Sequence, residues 1–482
     1  MCTADRGATG GLALKLLPFL MGILLLLPLR AEANALAIGW NEQHISVRVT
    51  AEEVSWRDAQ GIHVQQWPGG GTLTLELVTP RASLAIVDNP SVAVWLQRAF
   101  LHRYPTRVVR LGLNTSLVLL DRDVEILWAI ETAFVPLPAA DFPAWLALTT
   151  PHGTTLYTRD SSVRLTGSDK PVKVEGSALR GTVVFNPNRR GLLTSINVLP
   201  LEDYLLGVVP NEMPAAWPLD ALKAQALAAR SYAVRQRRRH GEDGFDLCST
   251  VHCQAYRGKD SEHSRSTQAV LETRGQVITY DGAVIDAVYH AHAGGHTRNS
   301  EQVWGGVAPY LRGVPIPEEP PLTWTHRVTV GEFERRLRAR EVNITHVTEV
   351  SIAEHADAGH VRSVRVTSLL GTVDVLATSL RGALDRAEMR STKFDIILLD
   401  HLMLPLRDSP AHAPFRLEVG RLAGIYYGLL PTQPAIIAFK GAGFGHGVGM
   451  SQWGAFGLAR AGVNYRDIIR RFYSGVTIST VR

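Results

Sequence analysis

Cysteine is scarce, with three in 482 residues. That excludes a small domain held together mainly by a network of disulfides. Aromatic residues make up only 7% of the chain. After the first thirty-three residues no apolar run approaches the ~20 residues that a membrane-crossing helix requires. No short internal repeat and no low-complexity tract is present, which excludes solenoids and repeat arrays. Strong charge of one sign is also missing, the net charge being +5. No basic surface interleaved with aromatics occurs, so a nucleic-acid partner is not expected. The basic run at residues 235–240 reads as a solvated helix end, with an anionic polymer as the alternative contact.

What is present is ordinary globular material: 45% hydrophobic and 20% charged residues, with 42 glycines and 26 prolines. A chain of this length is too long for one core, so two or three domains are expected, and the many turn-formers point to short elements in an α+β fold rich in strands. Residues 1–33 read as a secretory signal. Arg6 and Lys15 precede an apolar run at residues 16–29, and Ala31-Glu32-Ala33 supplies the small-x-small cleavage pattern. The run of fourteen residues is short for a span, so cleavage before Asn34 is favoured over an uncleaved anchor. Either way the chain is expected outside the cytoplasm, in the periplasm, in the cell wall or secreted. Cleavage removes three cations and two anions, bringing the charge to +4, and takes Cys2 with it.

Residues 34–178 alternate apolar and polar, as at 45–49 and 72–77, and predict a β-rich domain with a helix near 92–102. No catalytic constellation stands out there. The character changes near residue 178, and residues 179–480 form the second expected domain. Its core blocks are 179–314 and 436–480, with an inserted lobe over about 315–435. The lobe opens on a Pro-rich stretch and contains strands near 361–367 and 372–377.

The segment around Glu212 carries the sharpest chemistry. Residues 201–206, between Pro200 and Gly207, suit a short helix. The next residues, 208–214, read as an apolar connector in which Pro210 and Pro214 flank Glu212 and fix its direction. A carboxyl group among Val208, Val209 and Met213 is expected to be partly desolvated, and desolvation raises a carboxyl pKa toward the range of a general acid. The competing reading is a carboxylate that favours the N-terminus of the following helix. That helix runs from Leu219 to about Arg238, with a small-residue stripe at Leu222, Ala226, Ala229 and Ala233. Lys223 and Arg230 are two turns apart and leave one face, spaced for a polyanion or an extended sugar chain; a solvated face is the alternative.

Near the other end, glycines alternate from Gly441 to Gly449, permitting unusual backbone angles and close approach of a ligand to main chain. His446 lies within the run. Ser451 and Gln452 follow at a helix start, and all three are placed to hydrogen-bond sugar hydroxyls or an N-acetyl group, against a structural turn histidine as the plain reading. Trp304 and Trp453 could stack on sugar faces, with core packing the commoner use. Cys248 and Cys253, four residues between them, favour a disulfide in an oxidising compartment; a zinc site with His252 and with nitrogens from His290, His292 or His296 is the alternative, and free thiols a third.

Four blocks in order, residues 199–236 (LPLEDYLLGVVPNEMPAAWPLDALKAQALAARSYAVRQ), 246–258 (DLCSTVHCQAYRG), 294–314 (GGHTRNSEQVWGGVAPYLRGV) and 441–462 (GAGFGHGVGMSQWGAFGLARAG), resemble the stage II sporulation protein D (SpoIID) and LytB amidase-enhancer family. The resemblance implies an exported lytic transglycosylase that cuts peptide-stripped peptidoglycan between N-acetylmuramic acid and N-acetylglucosamine. Glu212 would be its acid and base, and Lys223, Arg230 and Asn299 would contact substrate. No cofactor is required by that chemistry, although the resemblance leaves zinc open at the cysteine block. It equally implies a second reading, a glycan-binding enhancer of a cell-wall amidase. The His-Ala-His-Ala before Gly294 departs from the small hydroxyl residues expected there, which leaves the role of His292 open.

Overall fold

In the computed structural model the described residues are 193–401, 403, 406 and 434–480, together with, before residue 193, the strands between residues 44 and 187 and a few joining positions. The leader expected at 1–33 and the helix expected at 92–102 lie outside them. The chain divides into two compact units, one of residues 1–203 with 238–260 and one of residues 204–237 with 261–482. Residue 178 falls inside a strand of the first unit, Ser177–Leu179. Among the described residues no helix is long and apolar enough to cross a membrane.

The described part of the first unit is mostly strands, in line with its alternating pattern. One sheet has five strands in the order Leu247–Cys248, His44–Arg48, Leu193–Pro200, Thr182–Pro187 and Val163–Thr166. Ile45, Val47, Val183, Phe185, Ile196 and Leu199 are buried along it. The pairing of Val47 with Leu247 and Arg48 with Cys248 is parallel, and Asp246 fixes its register by accepting from both the amide (2.9 Å) and the hydroxyl (2.8 Å) of Ser46. A six-stranded antiparallel sheet runs from Ser177–Leu179 to Gly153–Thr158, and a three-stranded one joins Ala85–Val87, Ser116–Leu120 and Thr106–Arg110.

The second unit is organised by the helix Leu219–Arg235. Sequence periodicity predicts one buried stripe; instead every residue from Ala224 to Ala233 is buried. Five of those ten residues are alanines, so neighbours approach closely from several sides: the helices Ser264–Glu272, Gln452–Arg460 and Tyr465–Phe472 and the strand Gln276–Tyr280. The strands expected near 361–367 and 372–377 form a hairpin, Val361–Ser368 with Gly371–Leu376. Beside them Ile436–Ala442, the opening of the C-terminal block, is the central strand between Thr323–Thr329 and Phe394–Leu399. The architecture is mixed α and β with several small sheets, in line with the α+β expectation.

Candidate functional site

Leu201–Leu206 is a helix, as expected. The segment after it departs from the expected connector, because Val209–Glu212 closes one helical turn with Pro210 in its first positions, where a missing amide costs nothing. Glu212 is the last residue of that turn and Met213 leaves it in extended conformation. Three groups hold the turn in place. Asn211 donates to the Gly207 carbonyl at 2.7 Å and to the Ser261 hydroxyl at 2.8 Å. Arg265 donates to the carbonyls of Ala215 and Trp217, both at 3.0 Å, and so fixes the loop beyond Glu212. Trp217 packs on Trp453 and Phe456, each at 4.8 Å between ring centroids.

The C-terminal block reaches the same place. Gln452, only 8% exposed, donates from Nε2 to Glu212 Oε2 at 3.3 Å. Glu212 itself is partly exposed. The arrangement is a carboxyl group with one fixed amide donor and an aromatic pad of Trp217, Trp453 and Phe456 beside it. Such a group can exchange a proton with a bound ligand whose rings lie on the pad. Sequence reasoning identified Glu212 and Gln452 and offered Trp453 as a stacking residue. It missed Trp217, Phe456 and Arg265; the Trp-Pro of residues 217 and 218, next to the carboxylate, was the available signal for the first.

The other predicted contacts are engaged within the protein. Arg230 is 1% exposed and donates to the carbonyls of Gln276 (3.1 Å) and Val270 (3.4 Å) and to Thr273 Oγ1 (3.5 Å). The expectation that it contacts sugar is corrected: it caps the C-terminal turn of Ser264–Glu272, where a cation meets the negative end of the helix. Lys223 leaves the same side and lands on the same turn, pairing with Glu272 Oε2 at 2.5 Å. Their spacing of seven fits a helix end rather than a polymer. Asn299 accepts from the Gly313 amide at 2.8 Å and donates to Asp357 at 3.4 Å, bridging two loops.

His446 also proves to be a turn residue. It donates from Nε2 to the Tyr289 carbonyl at 3.0 Å and accepts at Nδ1 from the Val448 amide at 3.1 Å, which fixes the neutral tautomer and uses both nitrogens. Burial pushes its pKa down to about 4, and burial likewise holds His290 well below the usual imidazole range. The alternating glycines allow close approach, but by the protein itself. A Cβ on Gly449, whose φ is +69°, would sit 2.2 Å from the Val288 carbonyl oxygen, and one on Gly445, at φ +123°, would sit 2.7 Å from His290 Cβ. Ser451 is fully buried; its hydroxyl caps the Gln452–Arg460 helix by accepting from the Gly454 amide and donates to Glu319. Glu319 in turn accepts from the amides of Ala293 (2.9 Å) and Gly295 (2.7 Å). His292 donates from Nε2 to the Pro320 carbonyl at 2.6 Å and accepts at Nδ1 from the Gly294 amide at 2.9 Å, so both ring nitrogens are engaged.

The cysteine block, in the first unit, overturns the preferred disulfide: Cys248 and Cys253 are free and buried. Their sulfurs each lie 3.5 Å from His252 Nδ1, and His240 Nε2 lies 3.3 Å from Cys253 Sγ. All four ligand atoms fall within 4.8 Å of one another. Two thiols and two imidazoles converging at contacts near the ~3.5 Å edge of a zinc tetrahedron fit that ion. The two thiols share a hydrogen bond that holds the Cys248 thiol down and, with burial, pushes the Cys253 thiol up, so the pair keeps one proton between them. His240 is the fourth member that spacing alone did not identify, and His290, His292 and His296 are not part of the cluster.

A family profile described as stage II sporulation protein matches residues 189–280, a stretch that contains both the Glu212 turn and the cysteine block. The chain belongs to the SpoIID family. The stage II sporulation protein D of Bacillus amyloliquefaciens is 30% identical over 321 residues, covering 62% of this chain and 80% of that protein. An uncharacterised protein of Brachyspira hyodysenteriae is 30% identical over 308 residues, or 63% and 73% of the two chains. The amidase enhancer of Bacillus subtilis (strain 168) is 30% identical over 296 residues, which is 57% of this chain and 40% of that longer protein.

Proposed function

We propose that this protein is exported and acts on the glycan strands of bacterial peptidoglycan as a lytic transglycosylase, with Glu212 as its acid and base. The observation that carries the reading is the 3.3 Å hydrogen bond from Gln452 to Glu212, which joins the two family blocks at one partly exposed carboxyl group beside an aromatic pad. In its protonated form Glu212 gives its proton to the oxygen bridging N-acetylmuramic acid and N-acetylglucosamine as that bond breaks. The resulting carboxylate then takes the proton of the sugar's own 6-hydroxyl as that oxygen closes on the anomeric carbon, forming a 1,6-anhydro end. Because the nucleophile is already part of the ring, a second carboxylate is not needed. Gln452 steadies the charged form through one donated hydrogen bond.

The Cys/His cluster plays no part in this step. His240, Cys248, His252 and Cys253 would hold a zinc ion in a closed, structural site, where it would supply folding energy rather than chemistry.

The test is mass analysis of the products of wild type and Glu212→Gln on peptide-stripped glycan. Anhydro-muropeptide ends from wild type and none from the variant are expected. The similarity to an amidase enhancer gives a second reading, binding without cleavage. It predicts no anhydro ends from either protein but faster release of stem peptides when a wall amidase is added.

A further inference from the structure

Resting on that reading of the Glu212 site, we infer that Glu319 is a positioning residue: its buried carboxylate sets the first turn of the Gln452–Arg460 helix and, through Gln452, the acid. Glu319 belongs to the Pro-rich stretch that the function has so far left unused. Its amide closes a turn on the Ile316 carbonyl at 3.2 Å. Pro320 follows it and Pro315, Pro317 and Pro321 stand nearby, so the backbone that carries the side chain has few alternatives. The stretch lies directly against the helix. A Cβ on Gly457 would sit 1.9 Å from the Glu318 carbonyl oxygen, and one on Gly454 would sit 3.1 Å from Ile316 Cγ2.

The Glu319 side chain is 0% exposed. Burying a carboxylate costs several kcal/mol unless its oxygens are met by donors, and here they are. Oε1 accepts from the Ala293 amide at 2.9 Å and from the Ser451 hydroxyl, and Oε2 accepts from the Gly295 amide at 2.7 Å. The His292 imidazole lies beside them, its Nδ1 3.2 Å from Oε2, and donates from Nε2 to the Pro320 carbonyl. The histidine that departs from the expected residue type is thus part of this clamp. Segment 291–295 also holds the helix directly, because the Ala291 carbonyl accepts from the Trp453 amide at 3.0 Å. Ser451 could cap the helix without a buried charge. What the carboxylate adds is direction: a hydroxyl that donates to Glu319 while accepting from the Gly454 amide at 3.2 Å has no rotor freedom left. The next residue is Gln452, whose amide meets Glu212, and the one after it is Trp453 of the pad. One carboxylate therefore fixes both groups that the acid leans on.

The test is a double-mutant cycle on cleavage of peptide-stripped glycan. Glu319→Gln keeps the shape but presents an amine to main-chain donors. It is expected to lower kcat about tenfold with KM changed less than about twofold, as Gln452→Ala does. The double variant is expected to cut no more slowly than Gln452→Ala alone, because Glu319 acts through Gln452. Ser451→Ala, which cuts the link but leaves Glu319 its two amide donors, repeats the cycle and decides the matter if Glu319→Gln does not fold. A second readout needs no activity: the Gln452 side-chain amide resonances, followed by NMR, are expected to move in Glu319→Gln and Ser451→Ala toward those of a freely rotating glutamine. Additive losses, about a hundredfold in the double variant, or unmoved Gln452 resonances overturn the positioning role and leave the reading of Glu212 standing. Absence of anhydro ends from wild type overturns that reading, and the resonances then decide the positioning of Gln452 by themselves.

Discussion

The Cys/His cluster and the Glu212 turn are built in opposite ways. His240 and Cys253 are thirteen residues apart, and the whole cluster is a local loop beside the strand Leu247–Cys248. Glu212 and Gln452 are 240 residues apart and meet because three helices and a strand of the second unit pack on the helix Leu219–Arg235. Proximity in sequence made the first easy to locate and hard to interpret, since the same spacing admits a disulfide, a metal site or free thiols. Distance in sequence made the second hard to assemble, but once the two side chains meet few roles are open to them.

Removing zinc from the first site is expected to give the largest effect. Purified protein should contain about one zinc per chain, and chelation or Cys253→Ser should lower stability by roughly 5 kcal/mol or more, as a structural zinc site contributes folding energy directly. Elemental analysis with thermal unfolding checks this, and an unchanged melting temperature after zinc removal would return the cluster to the free-thiol reading. At the second site Glu212→Gln should reduce glycan cleavage by about 10³-fold, the weight of a general acid, with the folded stability unchanged. Arg230→Ala distinguishes structure from substrate contact: we expect a loss of about 3 kcal/mol in denaturant unfolding, because a large buried side chain is removed and three acceptors lose their donor. If the variant instead keeps its stability and loses glycan affinity, the burial argument fails. Gln452→Ala should lower cleavage only about tenfold, because it removes one neutral hydrogen bond to the charged form.

The last effect is acid sensitivity, small at any one pH step. His446 has its pKa lowered from 6.5 to about 4 by burial, so the unfolded chain binds more protons than the native one between those values. The stability it contributes is complete above pH 6.5 and is lost as pH falls toward 4, on the order of 1 kcal/mol per pH unit. A pH series of unfolding curves for wild type and His446→Gln measures it, the variant showing the shallower slope.

Much of this was legible in the residues and some was not, for physical reasons. The helix after Pro200, the hairpin at 361–376 and the Gln452 helix start follow from proline placement, alternation and a serine cap, which are local signals. Glu212 stood out because two prolines flank it. Arg230 misled because helical spacing specifies a face without saying what covers it; here the Ser264–Glu272 helix does. His446 misled for a similar reason. A histidine among glycines looks open to ligand, yet the absent side chains let the chain's own carbonyl and amide close on both ring nitrogens. The four-membered metal set was only half visible, since His240 enters it through a turn stacked on Phe245 at 4.8 Å, which no spacing rule encodes.

The hydrogen bond from Gln452 sets when, during synthesis, the chain acquires its complete site. Synthesis delivers the glutamate long before the glutamine, and the strand Thr477–Thr480 that pairs with Gln276–Tyr280 arrives later still. A chain interrupted ahead of residue 436 therefore owns the acid but neither the amide that steadies it nor Trp453 of its pad. Under the proposed function, wall cutting is withheld from incomplete copies by the order of synthesis alone.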